Sequence, residues 1–278
     1  MISSLKPEVH SALKKQVIYT LLYFSLFWGA HLAIVSIVVF FHFMLDHNLN
    51  IIDSWIQEEA WKIIIISKLL AGFPILKFLV IYSDERYPIF SLLKKSLSSI
   101  RRETFVCIIL LIVMPSVIHF SYISYAGPIN FVKVFWPLVG TIVFYGVDFL
   151  IFFFMQAMMP LRTRQSLLII VIFALASVFA HRLALSYAEY DSFLNFSFLS
   201  LLLYISIWRG LSWTDSVALL ALVIAPIAVF LGVNPIESET SSLFVLENDF
   251  SSLSFLSVLF LLFSYLWWRG RQLDSRHK

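Results

Sequence analysis

The chain has 278 residues, of which 60% are hydrophobic and only 13% are charged, whereas an ordinary soluble domain carries about 25% charged residues. Its apolar residues fall in runs of about 18 or more, each long enough to cross ~30 Å of hydrocarbon. The net charge is +3, and the basic residues flank apolar runs, where they indicate a membrane surface and no nucleic-acid partner. The single cysteine, Cys107, excludes an internal disulfide bond and a cysteine-based metal cage.

These runs predict an all-α fold: one integral membrane domain, residues 1–278, built as a polytopic helix bundle of about eight transmembrane helices. In chain order the predicted spans 1 to 8 are Gln16–Met44, Trp61–Tyr82, Thr104–Ala126, Phe131–Met158, Ser166–Tyr187, Phe193–Trp208, Ser216–Gly232 and Ser252–Trp268. Gly72 and Pro74 near the middle of span 2 predict a kink. The apolar run of span 1 is too long for a cleaved signal peptide, so we expect it to remain as an anchor.

The distribution of basic residues predicts the orientation. With the N-terminus in the cytoplasm, about 15 of the 20 Lys and Arg residues fall in cytoplasmic segments. The asymmetry recurs from loop to loop, and an even number of spans returns the C-terminus to the same side. We therefore expect an N-in, C-in protein of a bacterial inner membrane.

Two segments outside the spans have the pattern of amphipathic helices that lie flat on a membrane. Between spans 1 and 2, Ile52, Trp55 and Ile56 recur at helical spacing among acidic residues. Between spans 2 and 3, the segment Ser83–Glu103 combines an apolar face with lysines and arginines, a composition that favours the side of the membrane rich in anionic lipid.

Charged residues at membrane depth are the first candidates for function, because an unpaired charge in hydrocarbon is costly. Lys77 lies 16 residues after the start of span 2, and Asp148 lies at a similar distance from the start of span 4. Counting residues thus predicts an ion pair between Lys77 and Asp148 in the cytoplasmic third of the membrane. The alternative is that Lys77 reaches the nearby headgroups while Asp148 bonds to a neighbour such as Tyr145.

A second group of basic or titratable residues is predicted in the outer third of the membrane: Lys68, His119, His181 and Arg182. Such a layer could line a cavity open to the outside, or it could be a ring of residues satisfied near the headgroups. His31, near the centre of span 1, is a separate candidate, and we expect it to be a core histidine bonded across helices.

The motifs of common enzymes are missing from the sequence. It contains no HExxH pair, Walker A loop or GxSxG motif, so no catalytic residue, cofactor or metal ligand is predicted.

Two function classes lead, with an intramembrane enzyme third. The first is a non-catalytic integral subunit of an inner-membrane or envelope assembly, whose partners would be lipid, other membrane or envelope proteins, or further copies of the chain. The second is a small secondary transporter or channel with a polar path past Lys68, His119, His181, Lys77 and Asp148. Prolines inside several spans support the second class, because interrupted helices often flank substrate sites.

Overall fold

A computed structural model describes residues 7–46, 49–82, 123–125, 131–159, 161, 163–186, 189–190, 192–193, 195–196, 199–200, 203, 236–237 and 244–246. Five helices dominate this part of the chain: α1 (Pro7–Asp46), α2 (Leu49–Glu58), α3 (Ala60–Tyr82), α4 (Phe131–Met158) and α5 (Thr163–Ala184). Helices α1, α4 and α5 are each long and apolar enough to cross a membrane. The chain is therefore a membrane protein with a helical architecture. The count of eight spans stays a prediction, since spans 7 and 8 and most of spans 3 and 6 lie outside these residues.

Helices α1 and α3 form an antiparallel pair. The rings of Tyr19 and Phe78 are 5.7 Å apart at one end, and Nδ1 of His31 lies 3.1 Å from Oγ of Ser67 further along. The helix α3 is unbroken across Pro74, in the region where the sequence predicts a kink.

Helix α2 prolongs this pair. The backbone N–H of Glu59 donates to Trp55, and the N–H of Ile63 donates to Glu59, so the helical bonding of α2 runs on into α3 through a single turn residue. Ile52 and Ile56 are buried and pack with residues 34–39 of α1. The apolar face of α2 thus covers α1, and α2 does not present it to a lipid surface as the sequence predicted.

Helix α4 runs parallel to α3 but begins earlier along the bundle. Gly140 of α4 lies against the ring of Trp61, and Gly72 of α3 lies beside Val147. A Cβ atom added at Gly72 would be 2.8 Å from the Val147 side chain, so small residues let the two backbones approach closely at both places.

Helix α5 completes a four-helix arrangement with α1, α3 and α4. It runs parallel to α1, with the rings of Phe24 and Phe173 5.0 Å apart, and antiparallel to α4, where Phe152 also contacts Phe173 at 5.1 Å. The interior between the helices combines aromatic with aliphatic side chains. The outer surface of α1 carries exposed Leu, Ile, Phe and Trp side chains over residues 18–45, as expected for a lipid-facing surface.

Within the described residues, four short strands pair parts of the chain that are distant in sequence. They are β1 (Ile123–Tyr125), β2 (Glu189–Tyr190), β3 (Ile236–Glu237) and β4 (Phe244–Leu246). Strand β1 pairs with β4, and β2 pairs with β3, both antiparallel. Because β1 occupies the last residues of predicted span 3, that span was predicted to extend too far toward its C-terminal end.

Candidate functional site

Three helices bring charged and polar groups together at the centre of the bundle. Nζ of Lys68, on α3, lies 2.5 Å from Oδ1 of Asp148, on α4. The hydroxyl of Tyr23, on α1, donates to the same carboxylate oxygen over 2.6 Å, and Lys68 also contacts that hydroxyl at 3.4 Å. All three side chains have 0% exposure. We call these residues the central triad.

Aromatic rings enclose the ammonium group of Lys68. Its Nζ is 4.7 Å from the ring centres of both Phe27 and Phe144, 5.5 Å from that of Tyr23 and 5.6 Å from that of Phe24. All four lie within the ~6 Å over which a ring face attracts a cation. The positive charge is therefore held by one carboxylate, one hydroxyl and four π systems in a fully buried environment.

The second oxygen of Asp148 is buried and has no hydrogen-bond partner among the described residues. A carboxylate can accept bonds at both oxygens, and a buried acceptor without a donor is costly. In the central triad, Oδ1 receives both donors and Oδ2 receives none. Oδ2 is thus the open position of the site.

The triad lies within a longer series of buried polar residues on α1. Gln16, Thr20, Tyr23 and His31 share one helical face at intervals of three to eight residues, and all have 0% exposure. The distance from the first to the last is about 22 Å at ~1.5 Å of rise per residue, most of the ~30 Å of a hydrocarbon core. We call this series the polar column.

Side chains of the other helices join the column at both ends. At one end, Nε2 of Gln16 donates a hydrogen bond of 2.6 Å to the carbonyl oxygen of Met159. Oε1 of Gln16 accepts a hydrogen bond of 2.9 Å from Nε2 of Gln156. At the other end, Ser67 donates its only hydroxyl proton to the carbonyl of Ile63 over 2.6 Å, so the contact with His31 requires the imidazole to donate from Nδ1.

His181 of α5 packs on the rings that enclose Lys68. Its ring centre is 4.2 Å from that of Phe144 and 4.8 Å from that of Phe27, and its Nδ1 lies 3.0 Å from the hydroxyl of Ser177. The imidazole has 0% exposure. Four helices therefore contribute to the surroundings of one ammonium group.

The predicted ion pair between Lys77 and Asp148 is wrong, because Lys68 occupies that place and Lys77 is exposed. The predicted pairing requires spans 2 and 4 to start at the same depth in the membrane. In the structure Trp61 lies level with Gly140, nine residues into α4, which shifts the register by about 14 Å. This offset places Asp148 beside Lys68.

The other predicted candidates divide into three groups. Lys68, His181 and His31 are brought together around the aromatic interior, while Arg182 is exposed at the end of α5. His119 lies outside the described residues. Among the residues described, no three His, Cys, Asp or Glu side chains are grouped so as to hold a metal ion.

Sequence reasoning missed Tyr23, Gln16 and Thr20. A signal for them existed: with His31 they recur at helical spacing along span 1, which puts a polar stripe on one face of an apolar helix. Comparison of the chain with protein-family models, curated proteins and solved structures found no match.

Proposed function

We propose that this protein is a small membrane transporter or channel whose path follows the polar column and passes the central triad. The observation that carries the proposal is the ion pair of Lys68 and Asp148, which has 0% exposure on both sides in a helix bundle of membrane-spanning character. Ionisable groups at such depth commonly mark ion or proton paths.

A purely structural role explains this site less well. Removing two charges from water costs several kcal/mol per ion, and replacing a buried pair by apolar side chains is often neutral or stabilising. Apolar residues would hold α3 to α4 at least as firmly, and the aromatic rings around Lys68 already supply a packed interior. Reversible charge chemistry is what a Lys–Asp pair adds to such an interior.

The test is flux through protein reconstituted in liposomes, with a neutral double variant. Lys68→Met combined with Asp148→Asn removes both charges together and leaves an oxygen to accept the Tyr23 hydroxyl. We expect this variant to accumulate normally and to lose flux of candidate ions and solutes. Lys77→Met, an exposed lysine on the same helix, is the matched control and keeps flux. Equal flux in the double variant and the wild type would refute the proposal.

An integral subunit of a larger assembly is the second candidate, and the length of α1 favours it. The exposed apolar side chains of α1 extend from Ile18 to Leu45, about 40 Å along the helix, which exceeds ~30 Å of hydrocarbon. A lone helix would need a tilt near the upper end of the usual range to bury this surface in lipid. Partner helices would cover it without such a tilt.

Gentle-detergent purification with mass spectrometry tests the subunit candidate. A stoichiometric set of envelope proteins would support it, whereas a clean monomer or homo-oligomer would favour transport.

The finer topology is part of the same proposal: eight spans, N-in and C-in, in a bacterial inner membrane. Two observations agree with the alternation of spans that this topology requires, while the direction rests on the charge bias. Helices α3 and α4, spans 2 and 4 of the prediction, run in the same direction, as two even-numbered spans must. Both strand pairs join segments that the prediction assigns to outside loops or to the outer end of a span.

A further inference from the structure

We propose that the ion moved or coupled along this path is the proton, and that Oδ2 of Asp148 is where it binds. This inference rests on the proposed transport function and names its substrate class. Its starting point is the open position of the central triad, a buried carboxylate oxygen with no donor among the described residues.

The geometry disfavours a metal cation at this site. Such ions take about six oxygen ligands, whereas the described surroundings of Asp148 offer one hydroxyl, from Tyr23. The place of a counter-ion is already filled by Nζ of Lys68 at 2.5 Å, and the remaining neighbours of that nitrogen are ring faces. A proton is the one cation that Asp148 can take up without displacing Lys68.

The proposed step balances protons within the pair. A proton entering from one end of the column binds Oδ2 and leaves Asp148 neutral. Release of that proton from Oδ2 toward the other end restores the ion pair with Lys68, whose ammonium group keeps its charge throughout. One proton enters and one leaves, and a single O–H bond forms and breaks.

The groups that face Asp148 and Lys68 from the packed helices suit this chemistry. From α1 the group in contact is Tyr23, with His31 further away against the ring of Phe27, and from α5 the nearest titratable group is His181, on the rings that enclose Lys68. Further along, Thr20 and Gln16 continue the column at about one helical turn each.

The test measures charge displacement after a rapid change of solution over protein reconstituted on a solid-supported membrane. A pH jump gives a transient current in the wild type, because protons enter the buried site even when net transport requires a second solute. We expect Asp148→Asn to lose this current and Thr141→Val to keep it. Thr141 is a buried residue of α4 whose hydroxyl donates to the carbonyl of Pro137 in its own helix.

Two other outcomes overturn the inference in distinguishable ways. A current that follows a Na⁺ or K⁺ jump at constant pH, and that requires Asp148, would show that the path carries a metal cation, with the transport function intact. No Asp148-dependent current after any jump would refute proton binding, and the liposome flux comparison would then decide the transport function separately. If Asp148→Asn does not fold, the neutral double variant Lys68→Met with Asp148→Asn takes its place in the pH-jump and the Na⁺ and K⁺ jump measurements.

Discussion

At the scale of single residues, Lys68 and Asp148 depend on each other for burial. Each has 0% exposure, so removing either charge leaves the other uncompensated in an apolar interior. We expect Lys68→Met alone to lower the free energy of unfolding by about 3–5 kcal/mol. The double variant with Asp148→Asn should recover most of that loss. Denaturant titration in detergent measures both, and a double variant as unstable as the single one would contradict the pairing.

Tyr23 contributes a hydroxyl that can be removed without disturbing its ring. The phenylalanine side chain of Tyr23→Phe still faces Lys68 but no longer donates to Oδ1 of Asp148. Hydrogen bonds to charged groups contribute about 1.5–3 kcal/mol, and we expect a loss of stability in that range. The same titration measures it, with Tyr19→Phe as the control on the same helix; Tyr19 is half-buried and its ring packs on Phe78. Equal effects of the two substitutions would contradict the role of the Tyr23 hydroxyl.

The sequence identified the charges of the site but paired one of them wrongly. Lys68 and Asp148 were both recognisable, because charges inside apolar runs are conspicuous. Their pairing depends on how far α4 slides along α3, which is decided by side-chain packing between the helices. Nothing in the spacing of residues within one helix encodes that offset.

At the scale of helices, two glycines allow α3 and α4 to lie close together. A Cβ atom at Gly140 would overlap the ring of Trp61, which is 3% exposed and has little room to move. Because overpacking a well-packed interior costs about 1–3 kcal/mol or more, we expect Gly140→Ala to destabilise the protein by at least that amount.

Gly29 is the matched control for this substitution. It is exposed on α1, with no atom within 4 Å of an added Cβ, so Gly29→Ala should be neutral or stabilise by up to about 1 kcal/mol through helix propensity. The stability of the two variants is compared by heating each one and measuring by gel filtration how much folded protein remains. Similar behaviour of both would show that the contact between Gly140 and Trp61 does not hold α3 against α4.

The positions of the helices were largely predictable, and their partners were not. Predicted span 4 coincides with α4 (Phe131–Met158), and predicted span 2 differs from α3 (Ala60–Tyr82) by one residue, because apolar runs define where a helix enters and leaves hydrocarbon. For α2 the periodicity correctly indicated a helix with one apolar face. The periodicity does not determine whether lipid or protein covers an apolar face. In the structure, α1 covers the apolar face of α2 in place of lipid.

At the scale of the whole molecule, the antiparallel pair of α1 and α2–α3 offers a direct test of orientation. Lys14 lies near the start of α1, and Glu58 lies at the end of α2, and both are exposed. The contacts between His42 and Trp55 at one end and between Tyr19 and Phe78 at the other place these two residues at opposite ends of the pair. If the pair spans the membrane, they face opposite compartments.

Cysteine labelling in intact cells distinguishes the two orientations. In a Cys107→Ser background, a membrane-impermeant maleimide should label Glu58→Cys from outside and Lys14→Cys only after permeabilisation. The reverse pattern would overturn the N-in orientation, and external labelling of both would show that the pair does not span. The charge bias predicts which compartment each residue faces, whereas the helix contacts predict only that the two residues face opposite compartments. This measurement therefore separates an error in the orientation from an error in the fold.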